Sequence, residues 1–435
     1  MLKNLKAHTS KLANSIKKVP IKKNKSDEYI VGLDIGTEFV KALIGKVSKS
    51  NPGHIEIIGV GKTHQSLKDM QAGAIADIAA VVENCDKALS QAEDMAGVSA
   101  RTAVLGIAGE LVKGTTKTIK VTRSNPKEAI DIAEMEKIIH LVQERTEAKA
   151  KNELAWELGG KNVDVRLVNS ALVSIEIDGY LVSNPIGFQG RDVVVSIYTA
   201  FAPLIHIGAL EKTALELDLD LLAVAAEPFA VARAVIGNNQ NSGISAVLMD
   251  IGGGTTDIAV VNDGGVQGTK MFGIGGRAFT RSIEKNLGVD FDEAESLKLE
   301  LSGNQIDRRK RADVEEALEK TSETWVSGVE LALDEFDQLD HLPNRLFLCG
   351  GGSSLEMLIE KLEQTNWYKS LPFTKRPVVN HIRPDQVTGI EDNTGKVNDH
   401  TFITAMGLLR VGLDTTHSNS ANTSFRDKID RMLSI

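Results

Sequence analysis

Residues 250–257 read Asp250-Ile-Gly252-Gly253-Gly254-Thr255-Thr256-Asp257, between the apolar runs Ser245–Met249 and Ile258–Val261. The pattern predicts a strand, a glycine turn and a second strand. Glycine has no Cβ, so the backbone can turn sharply and approach an anion closely enough for its amide hydrogens to converge there. The hydroxyls of Thr255 and Thr256 would add donors. Asp250, at the strand end, suits a hydrated Mg²⁺, which keeps most of its water and is usually met by one or two carboxylates. A single glycine run of this kind is most often a tight hairpin turn. Its meaning changes because it occurs twice.

The second copy is Val31-Gly-Leu-Asp34-Ile-Gly36-Thr37, followed by Phe39-Val-Lys41-Ala-Leu-Ile44. Aligned on their aspartates, the copies lie 216 residues apart in the numbering, too far for a stacked repeat and suited to two related halves. A third element, Arg345-Leu-Phe-Leu-Cys349-Gly350-Gly351-Gly352-Ser353-Ser-Leu355, reads as a buried strand, a glycine turn and a helix with Leu355, Leu358, Ile359 and Leu362 on one face. All three fit around one cleft.

This arrangement resembles the actin-like ATPase superfamily, which includes actin, the heat-shock-70 chaperones, sugar kinases, MreB, PilM and FtsA. The resemblance implies an α/β fold with a duplicated, ribonuclease-H-like core and ATP with Mg²⁺ in a cleft between the halves. It assigns Asp34, Gly36 and Thr37 to the first phosphate loop, and Asp250, Gly252, Gly253, Gly254 and Thr255 to the second. Gly350, Gly351, Gly352 and Ser353 become the adenosine turn. Asp292-Glu-Ala-Glu295-Ser-Leu-Lys298 is similar to the family helix whose Glu and Lys touch ribose and base, and Gly275-Gly276 opens a helix that approaches the nucleotide. Without that resemblance, Glu295 and Lys298 read as a solvated i, i+3 pair worth a few tenths of a kcal/mol.

Between the loops the chain resembles FtsA in particular. Ile55–Gly61, Asp69–Asp77 with a helix through Ala88 and Met95, and Ala103–Gly109 are similar to that family's opening. A charged helix, Lys127–Glu147, and strands around Val168–Ile177 follow. Ser183-Asn-Pro-Ile-Gly-Phe-Gln-Gly-Arg191 is similar to the signature that closes the extra FtsA-type subdomain. The expected organisation is a basic amphipathic arm (1–28), subdomain 1A in two parts (29–110 and 191–235) and the extra subdomain 1C between them (111–190). Subdomain 2A (236–275 and 341–412, the latter returning to 1A) encloses subdomain 2B (276–340), and a linker (413–424) leads to a C-terminal amphipathic helix (425–435). Three departures stand out. The basic arm is longer than usual for the family, Glu227-Pro-Phe-Ala230 follows the form seen in MreB and PilM, and the last helix lacks the tryptophan often found in the family's membrane anchor.

Composition narrows the class. At 435 residues, 42% apolar and 25% charged, the chain can bury more than one core. Its two cysteines, Cys85 and Cys349, offer neither a disulfide framework nor zinc spacing, and a reducing compartment follows. No apolar stretch is long enough for a transmembrane helix, and no apolar block marks a signal peptide. Charge is uneven: the first 25 residues hold eight lysines and no acid, while the whole chain carries a net charge of -9. An acidic body of this kind argues against nucleic acid as a partner. Leu2, Leu5, Leu12, Ile16 and Val19 run through the arm near helical spacing, which suits either an anionic membrane surface or a solvated tail. At the other end Phe425, Ile429, Met432 and Leu433 share one helical face among Arg426, Lys428 and Arg431. Eleven residues are marginal as a free helix, so this segment needs a membrane or a protein partner.

The resemblance implies a protein placed at the inner face of the cell membrane at the division site. There it would assemble with itself and with other divisome proteins at the septum, and bind the C-terminal peptide of FtsZ through the region Asp290–Asp340. Turnover of ATP would be slow, with the protein positioning the phosphates and neutralising charge. Asp34 and Asp250 would hold Mg²⁺ through water. Lys41 would reach a phosphate or remain solvated, and Glu227 would orient the attacking water or simply favour a helix start. Two alternatives stand beside this reading: a PilM-like scaffold of type IV pilus assembly, and, from another class, a small-molecule kinase, for which no separate substrate motif is visible.

Overall fold

The computed structural model describes residues 28–418 except 48–50, 52, 110, 158, 161–162 and 238–242. The basic arm and the terminal helix with Phe425, Ile429, Met432 and Leu433 lie outside the described residues.

Two sheets organise the chain. The first runs β11 (Asp220–Ala226), β6 (Thr102–Ile107), β1 (Glu28–Ile35), β2 (Phe39–Val47), β3 (Ile55–His64) and β17 (Ile390–Asp392). The second runs β16 (Val378–His381), β15 (Arg345–Cys349), β12 (Ala246–Ile251), β13 (Thr256–Asn262), β14 (Gly265–Phe272), β7 (Lys113–Thr122), β10 (Asp192–Pro203), β8 (Val165–Ile177) and β9 (Tyr180–Leu181). A short hairpin joins β4 (Met70–Gln71) to β5 (Ala74–Ile75). The runs β11-β6-β1-β2-β3 and β16-β15-β12-β13-β14 share one order and one set of senses. In each, an antiparallel meander of three strands carries two parallel strands on the side of its first strand. These strands read as near-continuous β-branched runs because helices cover their faces.

The helices are α1 (Ile78–Ala96), α2 (Ile132–Glu157), α3 (Leu204–Glu216), α4 (Glu227–Ile236), α5 (Gly276–Leu287), α6 (Phe291–Ser302), α7 (Arg308–Asp334), α8 (Glu356–Gln364) and α9 (Ile403–Ser418). One core packs α1, α4 and α9 on the first sheet, and a second packs α5, α7 and α8 on the second. A third, smaller core joins α2 to β7, β8 and β10 through Met135, Ile139, Val142, Ile175 and Val195. Its sheet meets β14 at only two pairs, Gly268 with Thr115 and Thr269 with Gly114. That approach requires glycine, since a Cβ on Gly114 would stand 2.0 Å from Thr269 Oγ1.

Two helix boundaries differ from the sequence reading. The charged helix begins at Ile132 rather than Lys127 and continues through Glu157, because Asp131 caps the Glu134 amide at 2.8 Å and Ala150 and Leu154 extend the buried stripe. Residues 413–418, expected to start the linker, are the last turns of α9. Leu413 is buried there and Asp414 ion-pairs with Arg410 and Arg233, so this polar stretch is tied down from within the fold. Among the described residues no helix is long and apolar enough to cross a membrane.

Candidate functional site

The two hairpins β1-β2 and β12-β13 point their turns at each other, and the turn after β15 closes the same space. The cleft between them measures about 380 Å³. It is lined by Asp34, Gly36, Thr37, Lys41, Glu227, Asp250, Gly252, Gly253 and Thr255, together with Gly276, Glu295, Lys298, Gly350, Gly351 and Gly352. Residues from opposite ends of the sequence reading are thus brought to one cavity. Gly254, Gly275 and Ser353 sit just behind the wall and make its tight joints. A Cβ on Gly254 would meet Thr37 Oγ1 at 2.7 Å, and one on Gly275 would meet Gly252 O at 2.6 Å. The Ser353 hydroxyl donates to Gly350 O at 2.7 Å and pins the third turn.

Several side chains act differently from their sequence reading. Thr256 Oγ1 donates backwards to Ile274 O and accepts from Trp325 Nε1 at 2.8 Å, so it braces the turn from α7 instead of facing the cleft. Thr255 Oγ1 donates to Asp257 Oδ2 at 2.9 Å. Lys298 is buried, donating to Glu295 at 2.6 Å, Thr280 Oγ1 at 2.8 Å and Gly276 O at 3.1 Å, and it therefore locks α6 to the start of α5 instead of being solvated. Lys41 is likewise drawn inward, 2.8 Å from Asp34. Arg308, Arg309 and Lys310 are exposed and Arg311 half-buried in the first turn of α7, which Asp307 caps.

The floor is acidic. Asp34, Glu227, Asp250 and Asp257 are all buried, and Lys41 is the ammonium among them. Burial, and then the charges of Asp34, Asp257 and Asp250, push the Glu227 carboxyl well above the usual carboxylate range, with Lys41 opposing. Burial also raises Asp250, against the Thr404 hydroxyl bonded to it and Lys41. Asp257 is pushed up to about 8 by burial and by Asp250. For Lys41, burial works downward, yet Asp34 above all, with Asp250 and Glu227, carries its pKa above the ordinary value. Asp257 Oδ1 is buried without a hydrogen-bond partner among the described residues. An orphaned carboxylate oxygen among like charges is the environment a cation relieves. The buried carboxyls of Asp34, Asp250 and Asp257 therefore form a donor set that a hydrated divalent cation such as Mg²⁺ would fit.

Three contributors escaped the sequence reading. Thr404, on α9, bonds Asp250 from a helix 154 residues away. Asp257 lay in the quoted motif, and its signal was available: it follows Asp250 by the interval that separates Lys41 from Asp34. Arg277 crosses the cleft from α5 to the first turn, donating to Glu38 Oε2 at 2.7 Å and Thr37 O at 2.7 Å, while its own amide donates to Gly253 O at 2.8 Å. Only the three-dimensional closeness of the turns reveals it.

Known proteins are similar to this chain. The family model described as Cell division protein FtsA matches residues 247–407, which begin in β12 and end in α9. Cell division protein FtsA of Pseudomonas aeruginosa is 26% identical over 412 residues, covering 89% of this chain and 90% of that protein. The protein of that name from Neisseria meningitidis serogroup B is 27% identical over 416 residues, covering 88% and 90%. Among solved structures, a chain of the PilM-PilN type IV pilus biogenesis complex is similar with a TM-score of 0.63 at 16% identity, covering 88% of this chain and 98% of that one.

Proposed function

We propose that the chain is an FtsA-type member of the actin-like ATPase superfamily, that it binds Mg·ATP between two duplicated, ribonuclease-H-like halves, and that it uses the nucleotide to control its own assembly. The observation that carries this reading is the convergence of two hairpins, 216 residues apart in the numbering, and a third glycine turn on one cavity with an acidic floor. Backbone amides of the two turns would hold the phosphates, and Glu295 and Lys298 would face the nucleoside. Mg²⁺ would neutralise phosphate charge from beside Asp34 and Asp250. Glu227 would orient a water as a carboxylate, the form that a cation held beside Asp34 and Asp250 would favour. A protein whose nucleotide mainly controls assembly needs only slow turnover.

In the cell this protein would lie on the inner face of the membrane, held by its basic arm and the helix 425–435, and tether FtsZ through the region Asp290–Asp340. The basic first turn of α7, with Arg308, Arg309 and Lys310 exposed and Arg311 half-buried, supports that assignment, because a basic cluster attracts an acidic peptide. The competing reading is a PilM-like scaffold, supported by the likeness of fold. Titrating the full chain with a labelled C-terminal FtsZ peptide and, in parallel, a pilus-assembly peptide separates them. The FtsZ peptide should bind with micromolar affinity, weakened by Arg308→Glu with Arg311→Glu. Binding of the pilus peptide alone would move the assignment to the scaffold.

A further inference from the structure

Lys41, Lys62, His64, Arg277 and Lys298 are the basic side chains on the cleft wall among the described residues. Lys41 is paired with Asp34, His64 and Arg277 with Glu38, and Lys298 with Glu295. Among the described residues Lys62 has no carboxylate within ion-pair distance. The charge of Asp399 acts on it from farther off, but that carboxylate accepts hydrogen bonds from Thr401.

The sheet register makes this arrangement costly. Lys62 on β3 stands directly opposite Lys41 on β2, and Lys41 stands directly opposite Asp34 on β1. Like charges at opposed positions repel, and Asp34 is already engaged on the far side of Lys41. The Lys62 ammonium does not leave the wall. Its Nζ lies 4.1 Å from the centroid of the Phe39 ring, which is itself part of the lining, and a ring face holds a cation in place. Burial and then Lys41 lower the pKa of Lys62, with Asp399 opposing, as expected for an ammonium short of negative charge.

We propose that Lys62 is the seat for a doubly charged phosphoryl group, either the terminal phosphate of a nucleoside triphosphate or free orthophosphate. Occupied by the former, it makes the cleft favour triphosphate over diphosphate. The inference rests on the nucleotide reading above. The inner phosphates have the glycine turns to hold them, whereas the last phosphoryl group supplies the extra negative charge that the Lys41–Lys62 pair lacks. Among the described residues, no other ammonium on the wall is free of a carboxylate partner.

The test is calorimetric titration of the full chain, Lys62→Met and Lys62→Arg with ADP and with a non-hydrolysable ATP analogue, both with Mg²⁺, and with orthophosphate alone. Lys62→Met should weaken the triphosphate analogue by about fivefold or more, the worth of one close charge pair facing water. ADP should stay within about twofold on the same scale, and Lys62→Arg should restore discrimination. Without ligand, Lys62→Met should melt at the same temperature or higher, because its repulsion with Lys41 is gone. Orthophosphate bound by the wild type and not by Lys62→Met identifies the free anion as a ligand of the same seat; triphosphate discrimination without it confines the seat to the nucleotide. Equal losses for both nucleotides, or a lower melting temperature of the ligand-free variant, would overturn the proposal. If the wild type binds neither nucleotide, the nucleotide reading fails, and the orthophosphate titration alone decides for or against the seat.

Discussion

The hairpins β1-β2 and β12-β13 are alike in backbone and opposite in charge. Asp34 faces Lys41 across the first, and Asp250 faces Asp257 at the same two positions of the second. The first hairpin is neutralised by its own sequence. The second sets two buried carboxyls against each other, so it must take up a proton or a cation from outside. One half of the cleft is therefore complete without ligand, and the other is built to respond to one.

That contrast predicts opposite signs for equivalent substitutions. Lys41→Met strips the ammonium from Asp34, whose side chain is 4% exposed, and should lower the stability of the ligand-free chain by about 3–5 kcal/mol, the usual cost of leaving one partner of a buried pair. Asp257→Asn should raise it. In the folded chain Asp257 keeps its proton up to about pH 8, while its ordinary value is 3.8. Between those values the folded state binds more protons than the unfolded one, so stability falls as pH rises from about 4 to about 8 and levels above that. Asn removes this contribution, and Glu227, raised in the same direction, leaves a residual slope. Melting temperatures of the three proteins at pH 5 and pH 8 check both claims. A stabilised Lys41→Met, or an Asp257→Asn variant with the wild-type pH slope, would break the comparison.

Ligand binding sharpens it. Asp250→Asn leaves the backbone turn in place but removes a carboxylate beside the metal, and should cost about 10- to 100-fold in Mg²⁺-dependent ATP affinity, the usual range for groups acting through a metal's hydration shell. Calorimetry with and without Mg²⁺ is the measurement. A loss that persists undiminished without Mg²⁺ would place Asp250 in the structure of the turn and not at the ion.

How much of this was legible in the sequence depends on the range of the interaction. The hairpins, the third turn and the cavity they share follow from glycine spacing and apolar runs, because a strand-turn-strand unit is specified within about a dozen residues. The helical residues 413–418 were missed because they are held by a contact from elsewhere, Asp414 with Arg233 on α4, whereas the start at Ile132 rests on a local cap, Asp131 on the Glu134 amide, that the sequence did carry. Lys41 and Lys298 were open to a solvated reading because their carboxylate partners are local, and only packing from elsewhere in the chain excludes water from the pair. The opposed charges at Lys41 and Asp257 were legible once the copies were aligned, yet their meaning needed the register.

The smallest expected effect concerns the strap between the hairpins. Arg277 is bonded to Glu38 and Thr37 of the first turn while its amide holds Gly253 of the second, and its side chain is 11% exposed. The turns already touch, since a Cβ on Gly253 would stand 2.9 Å from Glu38 Cβ. The guanidinium bonds add to that contact, and whatever holds the two turns together opposes release of a nucleotide bound between them more than its capture. Arg277→Ala should raise the dissociation rate of a fluorescent ADP by about tenfold, as expected for one charge-assisted contact worth roughly 1.5 kcal/mol. The association rate should change less, because affinity differences within one site reside mostly in dissociation. Arg277→Lys keeps the charge but loses the two-armed geometry, and should fall between the two. Stopped-flow traces decide it: equal changes in both rates, or full rescue by lysine, would show that Arg277 contributes charge alone and does not strap the hairpins together.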